Sequence, residues 1–319
     1  MQVNDLATAL VEAKGTFMKI ALVGIGKIAK DQHVPSIAAS NDWELAATVS
    51  RAGTVDGVPA YTELDDILAQ HSDIEVVSLC LPPVPRFEYA AACLRAGRHV
   101  MLEKPPGATL AEVHALKAIA HEAGVTLFAT WHSRMAKGVQ AAKAALADKT
   151  IESAHIDWKE DVRKWHPGQD WVFEPGGMGV FDPGINALSI LTEVLPMPVH
   201  LKSATLKVPE NRQTPISAEL VFSGQVTASF DWLKQGDQLW EMEFSAADGT
   251  VVQLKDGGNR CVIDGADSDV AALGEYPALY ARMEALMRTG RSDVDLTPMV
   301  HVSDAMTLGQ RETVAPFEW

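Results

Sequence analysis

The chain has 319 residues, of which 27 are basic and 42 acidic, so its formal net charge is −15, and 47% of its residues are hydrophobic. This length predicts two domains. The negative charge provides no broad positive field for nucleic acid or an anionic membrane, and no basic cluster provides one locally. No uncharged apolar run approaches the roughly 18 residues that a membrane-spanning helix needs.

The first seventeen residues precede the first predicted strand and fit no core pattern. They carry Asp5 and Glu12 and lack the basic flank of a secretory signal or an Arg-rich transit peptide. We therefore expect a cytoplasmic protein in which Met18 is the functional start and residues 1–17 are a flexible extension. A docked helix is the alternative for this segment, although so short a helix is marginal without packing.

Residues 18–148 alternate short apolar runs with longer segments of helical period. The strand-like runs are KIALV, ELAATVS, EVVSLCL, HVMLE and VTLFATW, and a helical segment follows each of them. Five such alternations predict a doubly wound α/β domain, in which helices cover both faces of a parallel sheet.

Residues 149–319 carry six strand-like runs that lie closer together, separated by turn signals such as Ser223-Gly224. They predict an open, mainly antiparallel sheet, interrupted by the helical stretches GINALSILTEVL and EYPALYARMEALMRTG. We assign this part to substrate binding and oligomerisation. One face of the sheet would be exposed, and a second copy would cover its apolar positions in a homodimer or homotetramer.

The segment Gly24-Ile25-Gly26-Lys27-Ile28-Ala29 joins the first strand to a helix. The first glycine permits a tight turn, the second lets the backbone approach a pyrophosphate, and the small Ala29 allows close packing of the helix. The N–H groups of the helix N-terminus then face the phosphates. At the first junction of a strand–helix series, this pattern predicts a dinucleotide site rather than an ordinary turn.

The second strand ends in Ser50-Arg51. An NAD-specific enzyme carries an acidic residue here, which binds the ribose 2′-hydroxyl. A hydroxyl beside a guanidinium suits a 2′-phosphate instead, because the phosphate would be repelled by a carboxylate. We therefore expect NADP to be preferred and NAD to be accepted. The alternative is that Arg51 is a solvated surface charge.

Two further motifs carry a family resemblance: Glu103-Lys104-Pro105-Pro106 after the fourth strand, and Asp182-Pro183-Gly184-Ile185-Asn186. With GIGKIA, they make the chain from residue 18 onward resemble the glucose-fructose oxidoreductase and inositol dehydrogenase family. Longer stretches such as VMLEKPPGATL and WKEDVRKWHPGQ resemble its bacterial L-arabinose and D-galactose 1-dehydrogenases. The resemblance implies a Rossmann domain, a second α/β domain, and NAD(P)-dependent oxidation of an aldose at C1 to a lactone.

The resemblance also implies that Lys104 and Asp182 are catalytic. Lys104 follows the fourth strand at the edge of the sheet where ligands of open α/β folds collect, and which of the two takes the substrate proton stays open. Lys104 could instead pair with Glu103, and Asp182 could cap a helix. The wider family usually has a histidine at the position of Asn186, and asparagine cannot take up a proton there.

Site residues for the ligands are also implied by the resemblance. The sugar contacts are His132, Glu160, Trp165, His166 and Asn186, together with Asp182. The cofactor contacts are the Gly-rich turn, Ser50, Arg51, Leu81, Pro82, Glu103 and Lys104. Packing is the alternative role for His132 and His166. The aromatic residues expected in the core or an interface are Trp131, Trp171, Trp232 and Trp240.

L-arabinose and D-galactose differ as pyranoses only at C5, so one pocket can hold both, and D-fucose should react as well. A sugar-binding regulator of the same fold is an alternative function, and so is a polyol dehydrogenase acting on an inositol. No metal site is predicted, because His114 and His121 lack a third ligand nearby. Reduced thiols are expected for all three cysteines, Cys80, Cys93 and Cys261.

Overall fold

The computed structural model describes residues 17–268 and 272–319, so most of the predicted extension, residues 1–16, lies outside the described residues. Six parallel strands form the first sheet, in the order β3-β2-β1-β4-β5-β6. The strands are Met18–Val23 (β1), Trp43–Val49 (β2), Ala60–Tyr61 (β3), Val76–Leu79 (β4), His99–Glu103 (β5) and Leu127–Thr130 (β6). The order reverses between β1 and β4, which confirms the doubly wound Rossmann arrangement.

Helices cover both faces of this sheet, and for that reason its central strands are continuous apolar runs rather than alternating ones. A π-helical turn, Ala29–His33, leads into the first of them. The helices are Val34–Ala38 (α1), Leu64–Gln70 (α2), Pro83–Arg95 (α3) and Leu110–Ala123 (α4), and Val139–Leu146 (α5) leads to the second sheet. A capping box between Thr109 and Glu112 fixes the start of α4 and hence the end of the loop after β5.

The second sheet has nine strands in the order β14-β13-β12-β11-β7-β10-β9-β8-β15. Among the described strands of this sheet, only the pairs β7–β10 and β8–β15 are parallel, so the prediction of an open, mainly antiparallel sheet is confirmed. The strands are Ile151–Lys159 (β7), Leu201–Pro209 (β8), Ser217–Phe222 (β9), Val226–Asp231 (β10), Leu239–Ala246 (β11), Val251–Lys255 (β12), Arg260–Ile263 (β13), Ala266–Asp267 (β14) and Gln310–Val314 (β15).

The inner face of this sheet packs against α5, Phe181–Val194 (α7) and Thr297–Leu308 (α9), and a single turn, Val162–Trp165 (α6), follows β7. Helix α9 was not predicted. Its sequence is rich in β-branched residues, and it forms because Pro298 suits its first turn and Met299, Val302 and Ala305 are buried on one side.

The outer face of the second sheet is polar, contrary to the predicted apolar surface. Hydrogen bonds and ion pairs between side chains cover it, including Ser229 with Glu219 (2.8 Å) and Lys159 with Asp157 (2.6 Å). Residues pointing inwards from the same strands, such as Ala228 and Phe230, are buried. Along these strands, apolar residues that point inwards alternate with polar residues that point outwards, as in sheets with one solvated face. The prediction that apolar positions on this face pair two copies is therefore wrong.

Helix Glu275–Arg288 (α8) returns to the first sheet. Tyr276, Leu279 and Met283 are buried against Ile20 and Leu22 of β1. A segment far along the chain thus completes the core around the Rossmann strands, and its first turn reaches the edge where β5 ends.

None of the described helices is long and apolar enough to cross a membrane. All three cysteines are free thiols, as predicted.

Candidate active site

A cavity of about 790 Å³ opens between the carboxyl end of the first sheet and the start of α7. It brings together most of the residues predicted for the site, from both halves of the chain. Those that line it are Gly26, Lys27, Ile28, Leu81, Pro82, Glu103, Lys104, His132, Glu160, Trp165, His166, Asp182 and Asn186. Four predicted residues, Gly24, Ile25, Ser50 and Arg51, do not line it.

The two glycines of the turn after β1 have different surroundings. Gly24 has φ +89°, and a Cβ there would lie 2.8 Å from the backbone nitrogen of Leu81. It is therefore required by the fold itself. A Cβ at Gly26 would meet nothing within 4 Å, so the space beside this backbone is open to a ligand. The turn thus fits the approach of a dinucleotide pyrophosphate.

The segment after β2 lies against this turn, because a Cβ at Gly53 would lie 2.7 Å from the carbonyl oxygen of Ile25. The same position would be 3.4 Å from Nζ of Lys30. Arg51 is exposed, and the Ser50 hydroxyl accepts the N–H of Ala52 at 3.1 Å. The amine of Lys30 therefore lies beside the segment that begins with Ser50 and Arg51.

Glu103 is buried beneath the cavity, where its carboxylate accepts hydrogen bonds from three sides. Oε1 lies 2.9 Å from both His33 Nε2 and the Tyr276 hydroxyl, and Oε2 accepts the backbone N–H of Lys104 at 3.0 Å. Burial alone would raise the pKa of Glu103, but the His33, His132 and Tyr276 groups outweigh it and lower the pKa to about 2. Glu103 thereby holds the backbone of Lys104 in place.

Arg86 fixes the ends of β4 and β5 to each other. Its buried guanidinium donates to the carbonyl oxygens of Leu81, Glu103 and Pro105. Burial lowers the pKa of Arg86 to about 10. The loops that carry Leu81 and Lys104 therefore form one rigid edge.

The side chain of Lys104 pairs with Asp182 and not with Glu103. Its Nζ lies 2.9 Å from the carbonyl oxygen of Asp182 and 3.1 Å from Oδ2. The same Oδ2 lies 3.0 Å from Nε2 of His166. Asp182 is the second residue of α7, whose N-cap is Val180, so the alternative reading of Asp182 as a helix cap is wrong.

Charge pairing sets the protonation of this cluster. Burial would raise the pKa of Asp182, but Lys104 and His166 hold it well below its usual range. Burial would likewise lower the pKa of His166, and the hydrogen bond and charge of Asp182 raise it instead. Asp182 is therefore ionised at neutral pH.

Glu160 follows β7 and is only 5% exposed. Its two oxygens accept the indole N–H groups of Trp232 (3.1 Å) and Trp240 (2.9 Å). Burial raises the pKa of Glu160 to about 7, and nearby Asp182 acts in the same direction, against the indole donors and Lys104. Glu160, a carboxyl that can carry a proton at neutral pH, thus lies close enough to the ionised Asp182 to feel its charge.

Aromatic rings form one wall of the cavity. Trp240 stacks on Trp158 with 5.8 Å between ring centroids and lies 5.5 Å from Trp165. Trp131 and Trp232 are buried as predicted, but Trp171 and Trp240 line the cavity, contrary to the expectation that they are core or interface residues. One side of the Trp171 and Trp240 rings packs against the core of the second sheet, and the other side faces the cavity.

His132 is paired with a residue that sequence reasoning missed. Its Nδ1 lies 2.7 Å from Oε2 of Glu275, and its ring stacks on Tyr276 at 5.6 Å. Burial would lower the pKa of His132, but Glu275 and Glu103 outweigh that effect and raise it. Both partners belong to the first turn of α8.

Other residues that sequence reasoning missed also line the cavity: His132's neighbour Ser133, Gln169, and the turn Asp256, Gly257 and Asn259. A signal existed for Gln169, because it ends the quoted motif WKEDVRKWHPGQ. The turn after β12 and the start of α8 had none, since only the folded chain brings them to this edge.

Comparison with known proteins identifies the same architecture. Residues 18–130 match the model of an oxidoreductase family with an NAD-binding Rossmann fold. The chain is 41% identical over 304 residues to galactose 1-dehydrogenase of Pseudomonas fluorescens, an alignment that covers 94% of this chain and 98% of that protein.

Solved structures agree with these sequence matches. The D-galactose-1-dehydrogenase protein of Rhizobium etli has a TM-score of 0.90 and 50% identity, covering 95% of this chain and 98% of that one. A 3-ketoreductase of Actinomadura kijaniata, in complex with NADP and TDP-benzene, has a TM-score of 0.77 at 18% identity, covering 95% of this chain and 100% of that one. At that identity, the second likeness concerns the fold alone.

Proposed function

The chain belongs to the oxidoreductase family with an NAD-binding Rossmann fold, and we propose that it oxidises D-galactose and L-arabinose at C1 to the aldonolactones. D-Fucose, which has the same ring configuration, is a third substrate in this proposal. The observation that carries it is the Lys104–Asp182–His166 cluster in the cavity beside the Gly-rich turn. The similarity to two galactose 1-dehydrogenases supports the substrate class.

The cofactor fits the residues present. Gly26 leaves open space for its phosphates, and Leu81, Pro82 and Lys104 line the cavity next to that space. When bound, the nicotinamide supplies the acceptor for the hydride that leaves C1. The protein has to position the sugar and take the proton of the C1 hydroxyl.

Lys104 is the proton acceptor in this proposal. Its nitrogen has three positions besides the bond to Cε, and two of them face the carbonyl oxygen and Oδ2 of Asp182. In a neutral amine, two hydrogens occupy these positions and the lone pair is directed elsewhere. The remaining position can then receive the proton of a hydroxyl bound in the cavity.

Asp182 is less suited to that role. Two cationic partners share its Oδ2, so the carboxylate would have to give up both interactions on protonation. Its pKa is lowered accordingly. We therefore propose that Asp182 orients Lys104 and the C1 hydroxyl, while Lys104 takes the proton.

The rest of the cavity has the chemistry that a pyranose requires. Glu160, His166 and Asn186 offer polar groups to hydroxyls, and Trp165 and Trp240 offer apolar surface to the C–H faces of the ring. Among the described residues, the buried indole nitrogen of Trp165 has no hydrogen-bond partner. A sugar hydroxyl would supply the missing acceptor.

NADP is the preferred cofactor in this proposal. Lys30 lies beside the segment after β2, and this strand is followed directly by Ser50 and Arg51 rather than by an acidic residue, which would repel a 2′-phosphate. NAD lacks that phosphate but shares every other contact, so we expect it to be accepted with a higher KM.

The direct test mixes the purified protein with NADP or NAD and single sugars and follows the absorbance of the reduced nicotinamide. We expect D-galactose, L-arabinose and D-fucose to react, myo-inositol and D-glucose to lag, and NADP to give the higher kcat/KM. Binding of sugar and cofactor without turnover would favour a regulator. Turnover of inositol alone would favour a polyol dehydrogenase.

For assembly, we propose a homodimer or homotetramer through the outer face of the nine-stranded sheet, in which polar side chains would pair across the interface around the exposed Val221. Sedimentation velocity would then give a mass of two or four chains. A single-chain mass at micromolar concentration would contradict it.

A further inference from the structure

Gln169 lines the cavity, and none of the roles described so far includes it. Its Oε1 lies 3.1 Å from Nε1 of Trp171 and 3.3 Å from Nδ1 of His166. An indole N–H can only donate a hydrogen bond. The atom that meets it must therefore be the amide oxygen, which fixes the orientation of the Gln169 side chain.

This orientation determines the hydrogens of His166. Its Nδ1 faces the amide oxygen of Gln169, which only accepts, so Nδ1 carries a hydrogen. Its Nε2 lies 3.0 Å from Oδ2 of the ionised Asp182, which also only accepts, so Nε2 carries a hydrogen too. A ring with hydrogens on both nitrogens is the imidazolium cation.

Two charged groups face this imidazolium, and they are also paired with each other. Asp182 of α7 stabilises its charge, and Lys104 of the loop after β5 opposes it. The other neighbours are the uncharged rings of Trp171 and Trp232, at 6.0 and 5.5 Å between centroids. The acceptor provided by Gln169 therefore adds to the attraction of Asp182.

We propose that Gln169 is a positioning residue whose amide oxygen keeps His166 doubly protonated, so that the imidazolium offsets the negative charge of Asp182. The inference rests on the proposed function, since it concerns the proton that Lys104 takes. A carboxylate whose charge is offset holds a proton on Lys104 less firmly. Gln169 therefore influences the proton-taking step of turnover by acting through His166.

Two variants separate this role from mere packing. Gln169→Leu removes the acceptor at similar size. We expect the acidic limb of the kcat/KM–pH profile to move up by about one pH unit, which is roughly a tenfold loss of kcat/KM at pH values below that limb. Gln169→Glu keeps an acceptor for both donors, so His166 stays doubly protonated and the limb should move less than in Gln169→Leu. A uniform loss in Gln169→Leu with no shift of the limb would contradict the proposal.

The second measurement does not depend on turnover. In ¹⁵N-histidine-labelled protein at pH 7, both ring nitrogens of His166 should give imidazolium shifts in the wild type and in Gln169→Glu, and neutral-ring shifts in Gln169→Leu. A neutral His166 in the wild type would overturn the inference. A wild type that shows the imidazolium but oxidises no sugar would overturn the proposed function instead.

Discussion

Single residues around Lys104 have separate tasks that hydrogen-bond geometry distinguishes. Glu103 holds the backbone of Lys104, while Asp182 holds its amine. The two carboxylates are both buried and both have lowered pKa values, yet their positive partners differ: His33 for Glu103, and Lys104 with His166 for Asp182. Glu103 and Lys104 are adjacent in the sequence but differ in role, since Glu103 supports the loop and the side chain of Lys104 lines the cavity.

The variant Lys104→Ala tests the proton acceptor. We expect kcat to fall by about 10²- to 10⁴-fold, as for loss of a general base, because no other group would take the C1 hydroxyl proton. Cofactor binding, followed by fluorescence titration, should stay within a few-fold of wild type.

The matched control is Lys149→Ala, which removes a surface ion pair with Asp248. Exposed ion pairs contribute little to stability, so Lys149→Ala should fold normally and keep wild-type turnover. If Lys104→Ala also stayed within a few-fold of wild type, Lys104 would not be the acceptor.

At the scale of elements, the site depends on where strands and helices end. Lys104 follows β5, Glu160 follows β7, and Asp182 lies in the first turn of α7. Helix α8 adds Glu275 and Tyr276, which contact His132 and Glu103 respectively. Four elements from both halves of the chain therefore meet at one edge.

The turn after β1 allows a prediction at this scale. Gly24→Ala places a methyl 2.8 Å from the Leu81 backbone at φ +89°, so we expect a loss of about 1–3 kcal/mol in the free energy of unfolding. Gly26→Ala meets no protein atom within 4 Å, so its stability should be unchanged while its KM for the cofactor rises.

Urea unfolding and cofactor kinetics on both variants provide the check. Equal loss of stability in the two would contradict the open space beside Gly26, and an unchanged cofactor KM in Gly26→Ala would show that the phosphates do not lie there.

At the scale of the whole molecule, stability depends on pH through buried groups. The pKa of Glu160 is raised from 4.5 to about 7 in the folded protein. Between these values, the folded chain binds more protons than the unfolded one, so this residue lowers stability as pH rises. The loss is complete about one pH unit above 7 and amounts to about 3–4 kcal/mol, at about 1.4 kcal/mol per pKa unit.

Glu160→Gln removes the titrating carboxyl group. The fall in the free energy of unfolding with rising pH that this group causes should therefore disappear. Relative to wild type, the variant should gain about 2–3 kcal/mol between pH 4.5 and 7.5, whatever its stability at low pH. Urea unfolding at four pH values measures the difference. Parallel curves for the two proteins would mean that folding does not raise the pKa of Glu160.

The sequence by itself determined the strand–helix alternation, the Gly-rich turn and the second sheet, because apolar periodicity and glycine positions are local properties of the chain. Its family motifs also named Lys104, Asp182 and His166 before any geometry was known. It missed α9, whose β-branched residues disfavour a helix until burial against α7 and the second sheet stabilises one.

Only the tertiary structure decided which side chains face one another. That Lys104 pairs with Asp182 rather than with adjacent Glu103, that Trp240 lines the cavity, and that α8 brings Glu275 to His132 all depend on contacts between distant segments. The protonation states of the site follow from the same contacts, because burial and charge pairing act through space and leave no periodic pattern along the chain.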